Sequence, residues 1–136
     1  MGDRGGIGTT FAAGVAIGLI AIIALVGDGG RLLSNRRQAG DLASGAARAG
    51  AQQVDLLAFR QRGEVVLDPA AAADAAHAYL YAVEAVGSVS ATGDTVSVTV
   101  AREIDLPLLG LVGVPVRTVS ATRQARAAAG IDQAED

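Results

Sequence analysis

The sequence predicts an α+β protein, and three observations predict it. An uncharged apolar run extends from Ile7 to Val26, a helical pattern of small residues follows Arg31, and strand-like runs lie on either side of Gly93-Asp94 with a third after Pro115. Helices in the first half of a chain and antiparallel strands in the second are the order of an α+β arrangement. The expected architecture is a single N-terminal transmembrane helix continuing into a long amphipathic helix, then a second helix and a small three-stranded antiparallel sheet.

The first element is set by length. A helix rises about 1.5 Å per residue, so some twenty residues cross the roughly 30 Å hydrocarbon core of a bilayer. Ile7–Val26 meets that length without a charge. A secretory signal has a shorter apolar core and a small-x-small cleavage site. Here Gly27-Asp28-Gly29-Gly30-Arg31 follows instead, and the run reads as a retained anchor. Within it Gly14 and Gly18 form a GxxxG pair and Ala12 and Ala16 a parallel small pair, a candidate helix-packing face. Arg31, Arg36 and Arg37 follow the run and Arg4 precedes it, so the positive-inside rule alone favours an internal C-terminal domain.

The second element is the helix beyond the anchor. Leu32, Ala39, Leu42, Ala43, Ala46, Gly50, Val54 and Leu57 recur at three- and four-residue steps, which predicts a helix to about Arg60. Its small residues suit close packing against the chain's own sheet. Gly27, Gly29 and Gly30 each weaken helix continuity by roughly 1 kcal/mol relative to alanine. Gly27, Asp28, Gly29, Gly30 and Arg31 are therefore a candidate hinge or assembly element. Asp28 and Arg31, three apart, have the spacing of an ion pair on one helix face.

The third element opens at Asp68-Pro69, an N-cap followed by proline at the first helical position. It is expected to run to about Val86 and stop at Gly87, with Tyr79, Leu80, Val83 and Val86 as its apolar side. A hairpin follows, Ser88–Thr92 and Thr95–Arg102 around a Gly93-Asp94 turn. Val96, Val98 and Val100 share one face, and Ser97 and Thr99 the other. A last strand is expected over about Val116–Ala125. The run Leu106–Pro115 is too short to span a bilayer and reads as a buried corner or as an apolar loop touching lipid or a partner. The tail from about residue 127 is expected to fray.

Composition excludes several function classes. The 136 residues contain no cysteine, so disulfides, iron–sulfur clusters and thiol nucleophiles are absent. The single histidine, His77, has no partner at metal-ligand spacing, and no metal or other cofactor is expected. The formal net charge of -3 argues against a nucleic-acid partner. Scarce aromatics argue against a small-molecule pocket. No nucleophile–base–acid set can be assembled, and Gly27–Gly30 lacks the preceding strand and following Lys-Ser/Thr of a phosphate loop. An enzyme is not expected.

Asp3-Arg4-Gly5-Gly6, the anchor, Val26-Gly27-Asp28-Gly29-Gly30-Arg31, then Arg36-Arg37-Gln38-Ala39, Asp41-Leu42-Ala43 and Ala46–Ala51 occur in an order that resembles the TadE/TadG-like proteins of Tad (Flp) pilus assembly. Residues 3 to 53 carry the clearest similarity; Leu106–Gly110 and Val119–Arg123 are also similar to the ends of such proteins. The resemblance implies a pilin-like fold and a minor pilin or assembly component, partnered by the bilayer and by other pilins or pilus-assembly proteins in a homo- or hetero-oligomer. It implies a bacterial plasma-membrane or pilus location. Residues 1–6 would form a short cytoplasmic leader-like segment, 7–26 the transmembrane helix and 27–136 an extracytoplasmic domain, the orientation opposite to that of the arginine count. Gly6-Ile7 is the candidate prepilin-type cleavage point. Pilin-type precursors typically place a glutamate five residues into the mature chain; here that position is Phe11 after cleavage at Gly6, or Thr10 after Gly5. The alternative is a small single-pass interaction or scaffold protein of another cell-envelope complex.

Overall fold

A computed structural model describes residues 4–127. Met1–Asp3 of the leader-like segment and almost all of the expected tail lie outside the described residues. The element order is α1 (Arg4–Ala51), α2 (Leu56–Arg62), α3 (Pro69–Ala82), β1 (Gly87–Ala91), β2 (Thr95–Asp105), a 3-10 turn (Leu109–Val112) and β3 (Val116–Arg126). The protein is mixed helix and sheet, with β2 at the centre of a three-stranded antiparallel sheet of order β1-β2-β3. Two compact units divide the described residues: 4–34 with 103–117, and 35–102 with 118–127.

The second unit holds the larger core. Ala39, Ala43, Ala46 and Ala47 of α1 are buried at three- and four-residue steps, against Val96, Val98 and Val100 of β2 and Ala72, Ala76 and Leu80 of α3. The three valines have no exposed surface, as their period-two spacing predicts. Gly50 extends the small stripe for a physical reason: a Cβ there would lie 2.7 Å from the Ala72 carbonyl oxygen. The hairpin register pairs Gly87 with Val100 and Ala91 with Val96. At its turn the Thr95 amide donates to the Thr92 hydroxyl oxygen at 3.2 Å, and the Thr92 amide donates to the Thr95 carbonyl at 2.9 Å. The Thr92 hydroxyl also lies 2.9 Å from the Asp94 carboxylate, as donor to it.

Several expectations change. The helix from Arg31 does not reach Arg60; α1 ends at Ala51. Val54 instead bridges Leu67, and the Asp55 amide donates to the Val66 carbonyl at 2.7 Å. Asp55 then caps a separate helix, accepting from the Leu57 and Ala58 amides at 2.9 and 3.0 Å. Leu57 is exposed there, outside the core that its spacing suggested.

Helix α3 starts as expected, with the Asp68 carboxylate accepting from the Ala70 and Ala71 amides at 3.0 and 3.1 Å. It ends earlier, at Ala82, because Glu84 takes a left-handed conformation (φ 52°). The Ala85 amide donates to the Leu80 carbonyl at 2.9 Å and the Glu84 amide to the Tyr81 carbonyl at 3.1 Å. These are the two bonds of a Schellman ending, with glutamate in the place glycine usually takes. Gly87 does not end the helix. It is the first residue of β1, where a Cβ would meet the Thr99 carbonyl oxygen at 2.6 Å. The apolar side of α3 is accordingly Ala72, Ala76 and Leu80, while Val83 and Val86 are exposed.

Candidate membrane and assembly surface

The first unit contains the apolar half of α1 and the apolar loop. From Gly8 onward the first half of α1 is long and apolar enough to cross a membrane, and it is almost entirely uncovered by the rest of the chain. Phe11, Ile17, Ile20, Ile23, Leu25 and Val26 are all exposed. In water that would be a large unsatisfied apolar surface. In lipid it is the ordinary outside of a membrane helix, with every backbone group bonded inside the helix itself. This fits a membrane anchor.

The candidate packing residues Ala12, Gly14, Ala16 and Gly18 lie on this exposed stretch. A Cβ added at Gly14 or Gly18 would meet nothing within 4 Å, so the groove those glycines make is unfilled by the chain's own described residues. The candidate cleavage point, Gly6-Ile7, lies within the backbone of α1.

The helix runs unbroken through Gly27–Arg31. Gly29 and Gly30 have open space where a Cβ would stand, and Gly27 faces the Leu108 side chain, which would lie 3.5 Å from such a Cβ. Arg31 is exposed. Asp28 is only 1% exposed, the one buried charged residue among the described residues. Its Oδ2 accepts from the Leu109 amide at 2.7 Å and from the Leu108 amide at 3.1 Å. A buried carboxylate is costly unless hydrogen-bonded, and bonds from amides to a charged oxygen are among the stronger ones in proteins.

Those amides open the 3-10 turn, whose first N–H groups have no partner within the turn. Asp28 thus serves as the cap of a turn that lies eighty residues further along the chain. In the same unit Ala24, Ile104 and Leu106 are buried. The run Leu106–Pro115 is partly a buried corner, through Leu106, and partly exposed, with Leu111 at 81%. The sequence marked both Asp28 and this run as unusual. It carries no signal that joins them, since the joining groups on the loop are backbone amides.

Elsewhere His77 is exposed on α3. Among the described residues no group of three or more His, Cys, Asp or Glu comes together to hold a metal.

Residues 5–53 match the family model of Flp pilus-assembly TadE/G-like (Tad) proteins. The matched stretch covers nearly all of α1, including the exposed apolar half, Asp28 and the small-residue stripe, and is well under half of the chain. It supports a role in pilus assembly, and the family is one of structural and assembly proteins rather than enzymes. Neither the curated proteins nor the solved structures gave a match to this chain.

Proposed function

We propose that this chain is a membrane-anchored minor pilin or assembly component of a Tad (Flp) pilus, acting through helix packing and not through catalysis. The observation that carries the proposal is the coincidence of the matched residues 5–53 with a helix whose first half has no covering of its own. In this reading residues 7–26 hold the subunit in the plasma membrane, with the N-terminus in the cytoplasm and the domain outside. The Gly14–Gly18 face and, on the opposite side of the helix, the Ala12–Ala16 face receive neighbouring pilin or assembly-protein helices, because small residues let backbones approach closely. Gly6-Ile7 is the bond a prepilin-type peptidase would cut.

The chain has no cysteine, so single cysteines report contacts cleanly. Ala16→Cys should cross-link to a pilus component in cells, and the protein should be recovered in sheared pili or in complex with the assembly machinery. Recovery in membranes alone, without cross-linking and with normal piliation after deletion, would overturn the proposal. N-terminal sequencing of the mature protein reads the cleavage at Gly6. Protease accessibility on intact cells reads the topology.

A further inference from the structure

We propose that the loop from Leu106 to Pro115 is a second lipid contact, lying in the interfacial layer of the bilayer beside the end of the anchor. The inference rests on the reading of residues 7–26 as a membrane span, and adds to it a surface that sequence length alone excludes as a span.

Five observations within the first unit carry it. From Leu106 to Val116 no side chain is polar or charged, while Asp105 and Arg117 on either side are exposed. The loop is fixed at the level where the span ends: the Leu108 side chain packs beside Gly27, and Asp28 holds the Leu108 and Leu109 amides. Ala24, one turn before Asp28, is buried, whereas Ile23, Leu25 and Val26 around it stay exposed. On the loop itself Leu111 is 81% exposed.

The backbone gives the fifth observation. A loop in water can leave its N–H groups to solvent. A loop among lipid headgroups and acyl chains meets fewer acceptors and must satisfy its donors within the protein. Here the amides of Leu106, Gly110, Leu111, Gly113 and Val114 donate to carbonyls of the loop, at 2.7 to 3.3 Å. Those of Leu108 and Leu109 donate to Asp28. Pro107 and Pro115 have no N–H to satisfy. Asp28 therefore supplies the acceptor that lets the 3-10 turn leave water, while its own carboxylate stays covered.

The chain has no tryptophan, so single substitutions give unambiguous depth probes in the full-length protein reconstituted in phosphatidylcholine vesicles with brominated acyl chains. Val15→Trp marks the span. Leu33→Trp marks the same helix seven residues beyond Val26, about 10 Å past the span's end. Leu111→Trp is expected to show blue-shifted emission and bromine quenching between these two. Adding Asp28→Ala should reduce that quenching and shift the emission to the red, and Asp28→Asn, which keeps an acceptor oxygen, should restore both. Quenching of Val15→Trp but not of Leu111→Trp, with Leu111→Trp emitting as Leu33→Trp does, overturns the loop inference and leaves the anchor. Absence of quenching at Val15→Trp overturns both. Leu111→Trp protected from aqueous iodide yet unquenched by brominated lipid assigns the loop to a protein neighbour and overturns the lipid contact.

Discussion

Replacing Gly50 by alanine should destabilise the second unit, although alanine is the better helix former. Gly50 is the second-last residue of α1, where the propensity gain is at most about 1 kcal/mol. Against it stands the space. The new methyl would lie 2.7 Å from the Ala72 carbonyl oxygen and 3.0 and 3.2 Å from the two Val96 methyls. Ala72 belongs to the backbone of α3 and Val96 has no exposed surface, so neither yields without moving an element. Overpacking of this kind costs about 1–3 kcal/mol, and an obstacle made of backbone puts it in the upper part of that range. The net expectation is a loss of about 1–2 kcal/mol, a fall in Tm on the order of 5–15 °C for a domain of this size. Thermal unfolding of the detergent-solubilised protein followed by circular dichroism measures it. Gly50→Ala/Val96→Ala should recover only part of the loss, since the Ala72 oxygen remains. A Gly50→Ala protein as stable as the parent, or more so, refutes the close-approach reasoning.

Three other outcomes are expected. Glu84→Gly removes a left-handed glutamate at the end of α3 and should stabilise the protein by about 1 kcal/mol in the same melt, whereas Glu84→Ala should not. Asp94 is held below the usual carboxylate range, first by the Thr92 hydroxyl, then by Thr95 and by the charge of Arg126. A lowered folded-state pKa stabilises above the unfolded value and loses that contribution as pH falls through the folded one. The stability gap between the parent and Asp94→Asn should therefore be widest above about pH 4 and close below it, and a gap that widens on acidification would contradict this. Asp28→Leu should leave membrane insertion intact and lower incorporation into pili; unchanged incorporation reduces Asp28 to a local clamp on the 106–115 loop.

What the sequence made legible was local chemistry. Asp68-Pro69 announced the start of α3, and alternation at Val96, Val98 and Val100 gave both the strand and its buried face. The long apolar helix was visible from length and lack of charge. The features it hid depend on partners distant in the chain. The periodicity through Val54 and Leu57 looks helical, yet pairing of residues 53–55 with 66–68 ends α1 first. Glu84 gives no sign of a left-handed ending, because its conformation is imposed by the entry into β1. The role of Asp28 was hidden for the same reason: its partners are two amides, which every sequence position offers alike. The glycines also divide by context. Gly50 and Gly87 are places of close approach, while Gly14, Gly18, Gly29 and Gly30 are open, a difference that composition cannot express.

The sheet's borders have a consequence for crowding. β1 is only five residues long, and β3 carries Arg123 and Arg126, both exposed, on the other border. Short or charged borders discourage the addition of a foreign strand. Molecules tethered in one bilayer meet at high local concentration and in similar orientations, the conditions under which strands fuse into aggregates. This chain blunts that route at both margins of its sheet and leaves a glycine-lined helix bare. In the proposed assembly such borders would disfavour strand addition and leave helix contact as the route of association.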